Sequence, residues 1–132
     1  MLKFMLDTNI VIYVIKRKPV EALDTFNKNA GCMCISSITF SELLHGVEKS
    51  QYPEQNLKKV EDFVSRLEIL DYGHKASAHY GDIRASLERQ GKIIGVNDLH
   101  IAGHARSESL ILITNNKKEF DRVEGLRLAN WI

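Results

Sequence analysis

The clearest strand signal in the sequence is Leu110-Ile111-Leu112-Ile113-Thr114, followed directly by Asn115-Asn116. Its five residues are almost all aliphatic or β-branched and polar residues bound it on both sides, which predicts a short buried strand. Similar short apolar segments lie at residues 3–6, 32–36 and 67–70, and segments with a helical pattern separate them. This alternation predicts an α/β fold, with a central, mostly parallel twisted sheet of four to five short strands flanked by helices.

The helical segments are marked by the spacing of their apolar residues and by the residues at their ends. The predicted helices cover residues 20–29, 39–49, a segment that Pro53 opens, 75–90 and 97–107. Gly91 is expected to end the fourth of them. The run from Ile10 to Ile15 is ambiguous: its β-branched residues favour a strand, whereas the preceding Asp7-Thr8-Asn9 suits the start of a helix.

The composition is that of a compact soluble domain. The chain has 132 residues, 44% of them hydrophobic and 27% charged, and we expect one domain over residues 1–132. A net charge of +1 excludes a strongly basic field that would bind nucleic acid indiscriminately. No apolar run approaches the ~20 residues needed to cross a bilayer. The spacing of Cys32 and Cys34 disfavours a disulfide, so we expect free thiols in a cytoplasmic protein.

Four polar residues stand where a predicted strand gives way to a helix. Asp7 ends the first strand, Glu42 lies one turn into the helix after the second, Asp98 starts the helix at 97, and Asn116 follows the last strand. Parallel sheets gather their chemistry at the carboxyl ends of the strands. Carboxylates that converge there repel each other, and a hard divalent cation such as Mg²⁺ relieves the repulsion. The pattern therefore predicts a metal site at this edge.

Each of these positions also has a purely structural explanation. Asp7 suits a helix N-cap, as does Asp98 or its neighbour Asn97, and Thr39-x-x-Glu42 matches a capping box. Asn115-Asn116 suits a turn that tolerates positive φ. Taken together, four such positions on one sheet edge favour the metal site.

Four motifs resemble those of PIN domains and come in the same order. They are Leu6-Asp7-Thr8-Asn9, Ser37-x-x-x-Ser41-Glu42-Leu43, Asn97-Asp98-x-x-Ile101-Ala102 and Thr114-Asn115-Asn116-x-x-Glu119-Phe120. The segment Ala78-x-Tyr80-Gly81-x-Ile83-Arg84-x-x-Leu87, with Gly91, Gly95 and Trp131, is similar to the VapC branch of that family, the toxins of type II toxin–antitoxin pairs. The resemblance covers essentially the whole chain, and it implies a helix directly after Asp7.

Carried onto this sequence, the resemblance implies that Asp7, Glu42 and Asp98 bind a divalent metal, Mg²⁺ or Mn²⁺. The family's fourth site is usually an acid, whereas this chain has Asn116 there. An amide offers a carbonyl oxygen but no charge. Asn116 and Glu119, one helical turn further on, are therefore both expected to take part in catalysis.

Three further residues are candidates for holding the carboxylates or the scissile phosphate: Thr8, Asn9 and Thr114. The two threonines suit helix-start caps equally well.

The resemblance also implies an activity and partners. The activity is that of an endoribonuclease that hydrolyses structured RNA through metal-activated water, with a tRNA anticodon loop as the leading candidate substrate. The partners are a VapB-like antitoxin and a second copy of the chain in a homodimer. Residues expected to line the antitoxin groove, unless they simply pack in the core, are Ile12, Ile15, Val20, Leu23 and Phe26.

Three alternatives stay open from the residues alone. Asn116 in place of an acid suits a PIN-fold RNA-binding module with a degraded catalytic site. A haloacid-dehalogenase-like phosphatase also has an Asp after its first strand, but it needs a second Asp where Asn9 stands. His100 and His104 have the spacing of a zinc pair, although Ile101 stands where the zincin pattern needs Glu.

Overall fold

The computed structural model describes residues 1–132, which form five strands and seven helices. In chain order these are β1 (Phe4–Leu6), α1 (Thr8–Arg17), α2 (Val20–Lys28), β2 (Met33–Ser36), α3 (Ser37–Glu48), α4 (Pro53–Val64), β3 (Glu68–Leu70), α5 (His74–Gln90), α6 (Val96–Ser107), β4 (Ile111–Ile113), α7 (Lys117–Phe120) and β5 (Leu128–Ala129). The strands form one sheet in the order β3-β2-β1-β4-β5, and every neighbouring pair is parallel. The expected α/β fold is confirmed.

Side-chain caps fix the helices that start at the carboxyl ends of the strands. Asp7 caps α1, since its Oδ1 accepts the backbone N–H of Ile10 at 2.8 Å. Ser36 caps α3 and accepts the N–H of Ile38 at 3.1 Å. At the far end of α5, Gly91 adopts the left-handed conformation with φ of 68°, as its position predicted.

The ambiguous run from Ile10 to Ile15 lies within α1, as the resemblance implied. Its strand propensity is overridden because Ile10, Val11 and Val14 share one helical face and are buried there. Burial of that face outweighs the small penalty that β-branched residues carry in a helix.

Two hydrophobic clusters hold the layers together, one on each face of the sheet. Neighbouring strand residues point to opposite faces, so Met5 belongs to one cluster and Leu6 to the other. Residues of α5 and α6 cover the Met5 face, and residues of α1 to α4 cover the Leu6 face. The carboxyl ends of the strands are left at one edge, which we call the carboxyl edge.

Two short elements, α7 and β5, go beyond the sequence prediction. They cover four and two residues, too few to show a period. Tertiary contacts specify them instead: Phe120 of α7 is 1% exposed, and β5 pairs with β4. None of the helices combines the length and apolarity needed to span a bilayer.

Candidate active site

Three buried polar residues mark the carboxyl edge. Asp7 follows β1, Ser36 ends β2 and Thr114 follows β4, and these are neighbouring strands in the middle of the sheet. Their exposed fractions are 2%, 0% and 0%. Polar groups this deeply buried need partners, and those partners organise the site.

Asp7 is a desolvated carboxyl with both oxygens engaged. The hydroxyl of Thr114 donates to Oδ2 at 2.5 Å, and the N–H of Ile10 donates to Oδ1. Burial nevertheless raises the pKa of Asp7 above its ordinary value, and the charge of Glu42 adds to this effect. Asp7 therefore caps α1, as one interpretation expected, and in addition presents a carboxyl to the site.

Glu42 projects from α3 and is held from two other helices. The hydroxyl of Thr8 on α1 donates to Oε1 at 2.5 Å, and the amide of Asn97 on α6 donates to Oε2 at 2.9 Å. Thr39 supports this arrangement, with its Oγ1 3.0 Å from that of Thr8. Both glutamate oxygens are thus oriented by neutral donors.

The capping-box interpretation of Thr39 and Glu42 is wrong. The helix begins earlier than predicted, at Ser37, and Ser36 is its N-cap. Glu42 therefore lies beyond the first turn and bonds to side chains of other helices rather than to a backbone N–H.

Asp98 lies in the first turn of α6, where Gly95 and not Asn97 or Asp98 is the N-cap. Burial raises the pKa of Asp98 to about 6, and the negative charges of Glu119, Asp7 and Glu42 contribute in that order. Because the charges of all three other carboxylates raise the pKa of Asp98, the four acids surround one region of the carboxyl edge.

Asn116 links Glu119 to the same region. Its amide donates to Oε2 of Glu119 at 2.5 Å, and its backbone N–H donates to Oγ1 of Thr114 at 2.9 Å. Thr114 in turn binds Asp7. The φ of Asn116 is −111°, so the interpretation of Asn116 as part of a turn with positive φ is wrong.

No cationic side chain balances these four carboxylates, since the five ion pairs of the chain involve other acids. Oxygen ligands of this kind suit a hard divalent cation. As they stand, no three of them are close enough to hold one ion together. Glu42 and Glu119 are turned toward amide donors instead. The oxygen ligands thus fit Mg²⁺ in their chemistry. Binding one ion requires Glu42 and Glu119 to change rotamer, away from their amide partners.

Sequence reasoning gave Thr39 and Asn97 only capping roles and missed their part in holding Glu42. The contact between Asn97 and Glu42 joins residues 55 positions apart, so no local pattern indicates it. Conversely, Asn9 is exposed and makes no side-chain hydrogen bond to the carboxylates.

The two histidines considered as a zinc pair have separate partners. His100 Nδ1 lies 2.7 Å from the hydroxyl of Tyr72, and His104 Nδ1 lies 2.8 Å from Oγ of Ser36. Neither contact involves the carboxylates.

A separate apolar cavity of about 390 Å³ lies between α1, α2 and α4. Of the five residues expected to form a partner groove, Ile15, Leu23 and Phe26 line it. Ile12 does not, and Val20 is 81% exposed and also lies outside it. Val20 starts α2 and its side chain points to solvent, which the helical period alone did not reveal.

Comparison with known proteins gives consistent results. The PIN-domain family model matches residues 4–126. Over 132 residues, all of both chains, the sequence is 64% identical to ribonuclease VapC2 of Haemophilus influenzae. Over 131 residues, 99% of each chain, it is 58% identical to the tRNA(fMet)-specific endonuclease VapC of Shigella flexneri.

A solved structure matches equally well. The DNA-bound VapBC of Salmonella typhimurium contains a chain that superposes with a TM-score of 0.98 at 54% identity, with 100% of both chains covered. The resemblance inferred from the four motifs is confirmed. The chain belongs to the PIN-domain family, within its branch of VapC ribonucleases.

Proposed function

We propose that this chain is the Mg²⁺-dependent endoribonuclease of a toxin–antitoxin pair, and that Asp7, Glu42 and Asp98 hold the ion. The observation that carries the proposal is the group of four mutually repelling carboxylates without a cationic partner. Burial and this repulsion disfavour the ionised states of Asp7 and Asp98 unless a cation joins them. Carboxyl groups perturbed by burial and by neighbouring charges cluster at functional sites.

Residues of the chain orient these ligands. Thr114 fixes Oδ2 of Asp7, while Thr8 and Asn97 fix the two oxygens of Glu42. Fixed second partners of this kind hold ligands in position. A bound Mg²⁺ supplies positive charge to the phosphate oxygens and acidifies the attacking water.

Asn116 and Glu119 complete the site as a pair. The amide of Asn116 keeps Glu119 beside Asp98, so the negative charge that PIN domains usually have at position 116 comes here from Glu119. Glu119 then accepts a proton or orients water at the edge of the site.

The proposed substrate is tRNA(fMet), cut in a single-stranded loop. Relatives from Shigella flexneri and Salmonella typhimurium, at 58% and 54% identity, are tRNA(fMet)-specific endonucleases. An unpaired loop brings its backbone to a buried carboxyl edge that a duplex cannot enter. We place this reaction in the cytoplasm, where tRNA is used.

The proposed partner is a VapB-like antitoxin that binds the apolar cavity. Solved relatives are VapBC complexes from Salmonella typhimurium and Rickettsia felis. Lys18, Lys59 and Arg66 line the cavity together with its apolar residues, against one acid, Asp62. This composition suits an antitoxin segment with apolar side chains and flanking acidic ones.

The test is cleavage of total cellular RNA by the purified chain, with every new 5′ end mapped. We expect few cuts, with tRNA(fMet) foremost, that depend on Mg²⁺ and stop in EDTA. Products should carry 5′-phosphate ends because water is the nucleophile. Ends with 2′,3′-cyclic phosphate, or equal cleavage in EDTA, would contradict the proposal.

Matched variants assign the site. Asp7→Asn and Asp98→Asn should be inactive yet folded, with melting temperatures in EDTA no lower than the parent's, because burial already disfavours both charges. Asp121→Asn, an exposed acid that follows α7, is the control and should stay active. Full activity of either site variant would refute the assignment.

A further inference from the structure

A second cluster of side chains, Tyr72, Tyr80, Arg84 and His100, forms a continuous chain of contacts. The rings of His100 and Tyr80 stack with centroids 4.1 Å apart and an interplanar angle of 8°. Nη1 of Arg84 donates to the hydroxyl of Tyr80 at 2.6 Å, and its guanidinium carbon lies 5.9 Å from the ring centroid. Tyr72 closes the other end through its hydrogen bond to His100. None of the four side chains is fully buried.

Helix α6 connects this cluster to the carboxylates. Asn97, which holds Glu42, and His100 are three residues apart and lie on one face of the helix. Tyr80 and Arg84 are likewise one turn apart on α5.

The packing of α5 on α6 places Arg84 at the Asp98 end of the pair. Gly103 of α6 lies against Ala76 and Tyr80 of α5, whereas His100, nearer the start of α6, stacks on Tyr80. The helices are thus antiparallel. Arg84, one turn beyond Tyr80 on α5, is therefore displaced from Tyr80 toward the Asp98 end of the helix pair.

Arg84 has the properties of a phosphate ligand. Its side chain is 41% exposed, and its only acidic contact is with Glu88 at 3.5 Å, also at the surface. The Tyr80 hydroxyl fixes the guanidinium and leaves donors free, which reduces the entropy lost on binding an anion. Nδ1 of His100 bonds to the hydroxyl of Tyr72, and Nε2 has no hydrogen-bond partner in the chain.

The negative charge of the site favours a cationic ligand for the RNA beside it. RNA that approaches four carboxylates is repelled, and a metal compensates only at the scissile phosphate. The net charge of +1 provides no general attraction, so neighbouring phosphates depend on individual cations.

We propose that Arg84, held by Tyr80, and the Nε2 edge of His100 form a binding subsite for an RNA phosphate adjacent to the one that is cleaved. The subsite rests on the proposed RNA cleavage and adds residues that set the position of the strand. It contacts the backbone, so it fixes register rather than base identity.

The decisive experiment scans the tRNA loop with single methylphosphonates, which remove one phosphate charge at a time. For the parent chain, one neutral position next to the cut should weaken binding about tenfold, the loss expected for a charge-assisted hydrogen bond. For Arg84→Gln the same position should have no further effect, while all other positions behave as in the parent. If Arg84→Gln showed the same loss of binding at each methylphosphonate position as the parent, the proposal would be overturned.

Steady-state kinetics give a second readout. Arg84→Gln should raise KM about tenfold with kcat changed less than about twofold, since binding and not chemistry is affected. Tyr80→Phe should give a smaller rise in KM, because it removes only the hydroxyl that fixes Arg84. Arg89→Gln, an exposed arginine five residues further along α5 and therefore on a different helix face, is the matched control and should leave KM unchanged. Equal effects of Arg84→Gln and Arg89→Gln would refute the subsite.

Binding measured in EDTA separates this proposal from the proposed function. If the parent chain does not cleave RNA but still binds it with a loss specific to Arg84→Gln, the catalytic assignment fails and the subsite stands. If the parent cleaves and Arg84→Gln binds equally well, the subsite fails alone. If the parent neither cleaves nor binds tRNA, both fail.

Discussion

At the scale of single residues, Asn116 places a neutral side chain at a proposed site where PIN domains usually have an acid. Its amide donates to Glu119, a bond that a carboxylate at the same position cannot make. Position 116 therefore carries no negative charge, and its amide instead holds the charged carboxylate of Glu119 by a hydrogen bond. An amide in place of an acid at position 116 reduces the repulsion among the carboxylates of the metal-free site.

Asn116→Asp is expected to destabilise the metal-free protein and to increase the stabilisation by Mg²⁺. The variant replaces a 2.5 Å amide–carboxylate hydrogen bond with two like charges, which costs about 1–3 kcal/mol. Mg²⁺ relieves that repulsion, so its addition should raise the melting temperature more than in the parent. Thermal melts in EDTA and in Mg²⁺ measure both effects. The exposed neighbour gives the control Asn115→Asp, and equal Mg²⁺ responses of the two variants would refute this account.

His104 illustrates a different residue-scale effect, the burial of a titratable ring. It is 2% exposed, and burial lowers its pKa below the ordinary 6.5, although Glu108 and Asp71 oppose the shift. Oγ of Ser36 already accepts the N–H of Ile38, so its proton is available for Nδ1 of a neutral ring. The fold therefore favours unprotonated His104.

A pH-dependent loss of stability follows from this preference. Below pH 6.5 the unfolded chain takes up a proton that the folded chain resists, so His104 destabilises the fold increasingly as pH falls. His104→Asn keeps an acceptor for Ser36 but cannot titrate. Urea unfolding between pH 7.5 and 5 should show the parent losing more stability than the variant, even though the variant is less stable at pH 7.5. Parallel curves for the two proteins would count against a buried neutral His104.

At the scale of secondary-structure elements, the sequence predicted what rests on periodicity and missed what rests on tertiary contact. The strand at residues 110–114 and the helix ended by Gly91 carry their own signals and were predicted correctly. Helix α1 does not, since only the buried face of Ile10 and its neighbours overrides their strand propensity. The five site residues were placed at the carboxyl edge, but the contact of Asn97 with Glu42 depends on packing of α3 on α6.

The close contact of α5 with α6 depends on Gly103. A Cβ there would lie 2.9 Å from the backbone nitrogen of Tyr80 and 3.2 Å from the carbonyl oxygen of Ala76, so the helices would have to separate. Gly103→Ala should destabilise the protein by about 1–3 kcal/mol. Activity should fall as well, because α6 carries Asp98 and Asn97.

Gly81→Ala is the matched control on α5. Nothing lies within 4 Å of the added Cβ, so the substitution should stabilise the helix by about 0.5–1 kcal/mol. Chemical denaturation of both variants measures the two effects. Equal changes in stability would mean that the helix contact tolerates a methyl group.

At the scale of the whole molecule, the two surfaces proposed for catalysis and for antitoxin binding lie on different parts of the fold. The carboxylates occupy the carboxyl edge of the sheet, whereas the apolar cavity lies between α1, α2 and α4. Among the helices, only α1 contributes to both, with Thr8 at its start and Val14, Ile15 and, just past its end, Lys18 in the cavity. We therefore expect mutations to separate the proposed catalytic site from the proposed antitoxin surface.

Leu23→Glu is expected to release the chain from antitoxin control without loss of cleavage. Leu23 lines the cavity and is only half-buried, so a charge there meets water in the free protein but is buried against an apolar antitoxin segment in the complex. Val20→Glu, one turn earlier on α2 and 81% exposed outside the cavity, adds the same charge and should stay under control. Co-expression with the cognate antitoxin, followed by growth assays and tRNA cleavage in vitro, measures both properties. If antitoxin neutralises Leu23→Glu and Val20→Glu equally, the partner binds elsewhere. If Leu23→Glu loses cleavage while remaining folded, the two surfaces are coupled through α1.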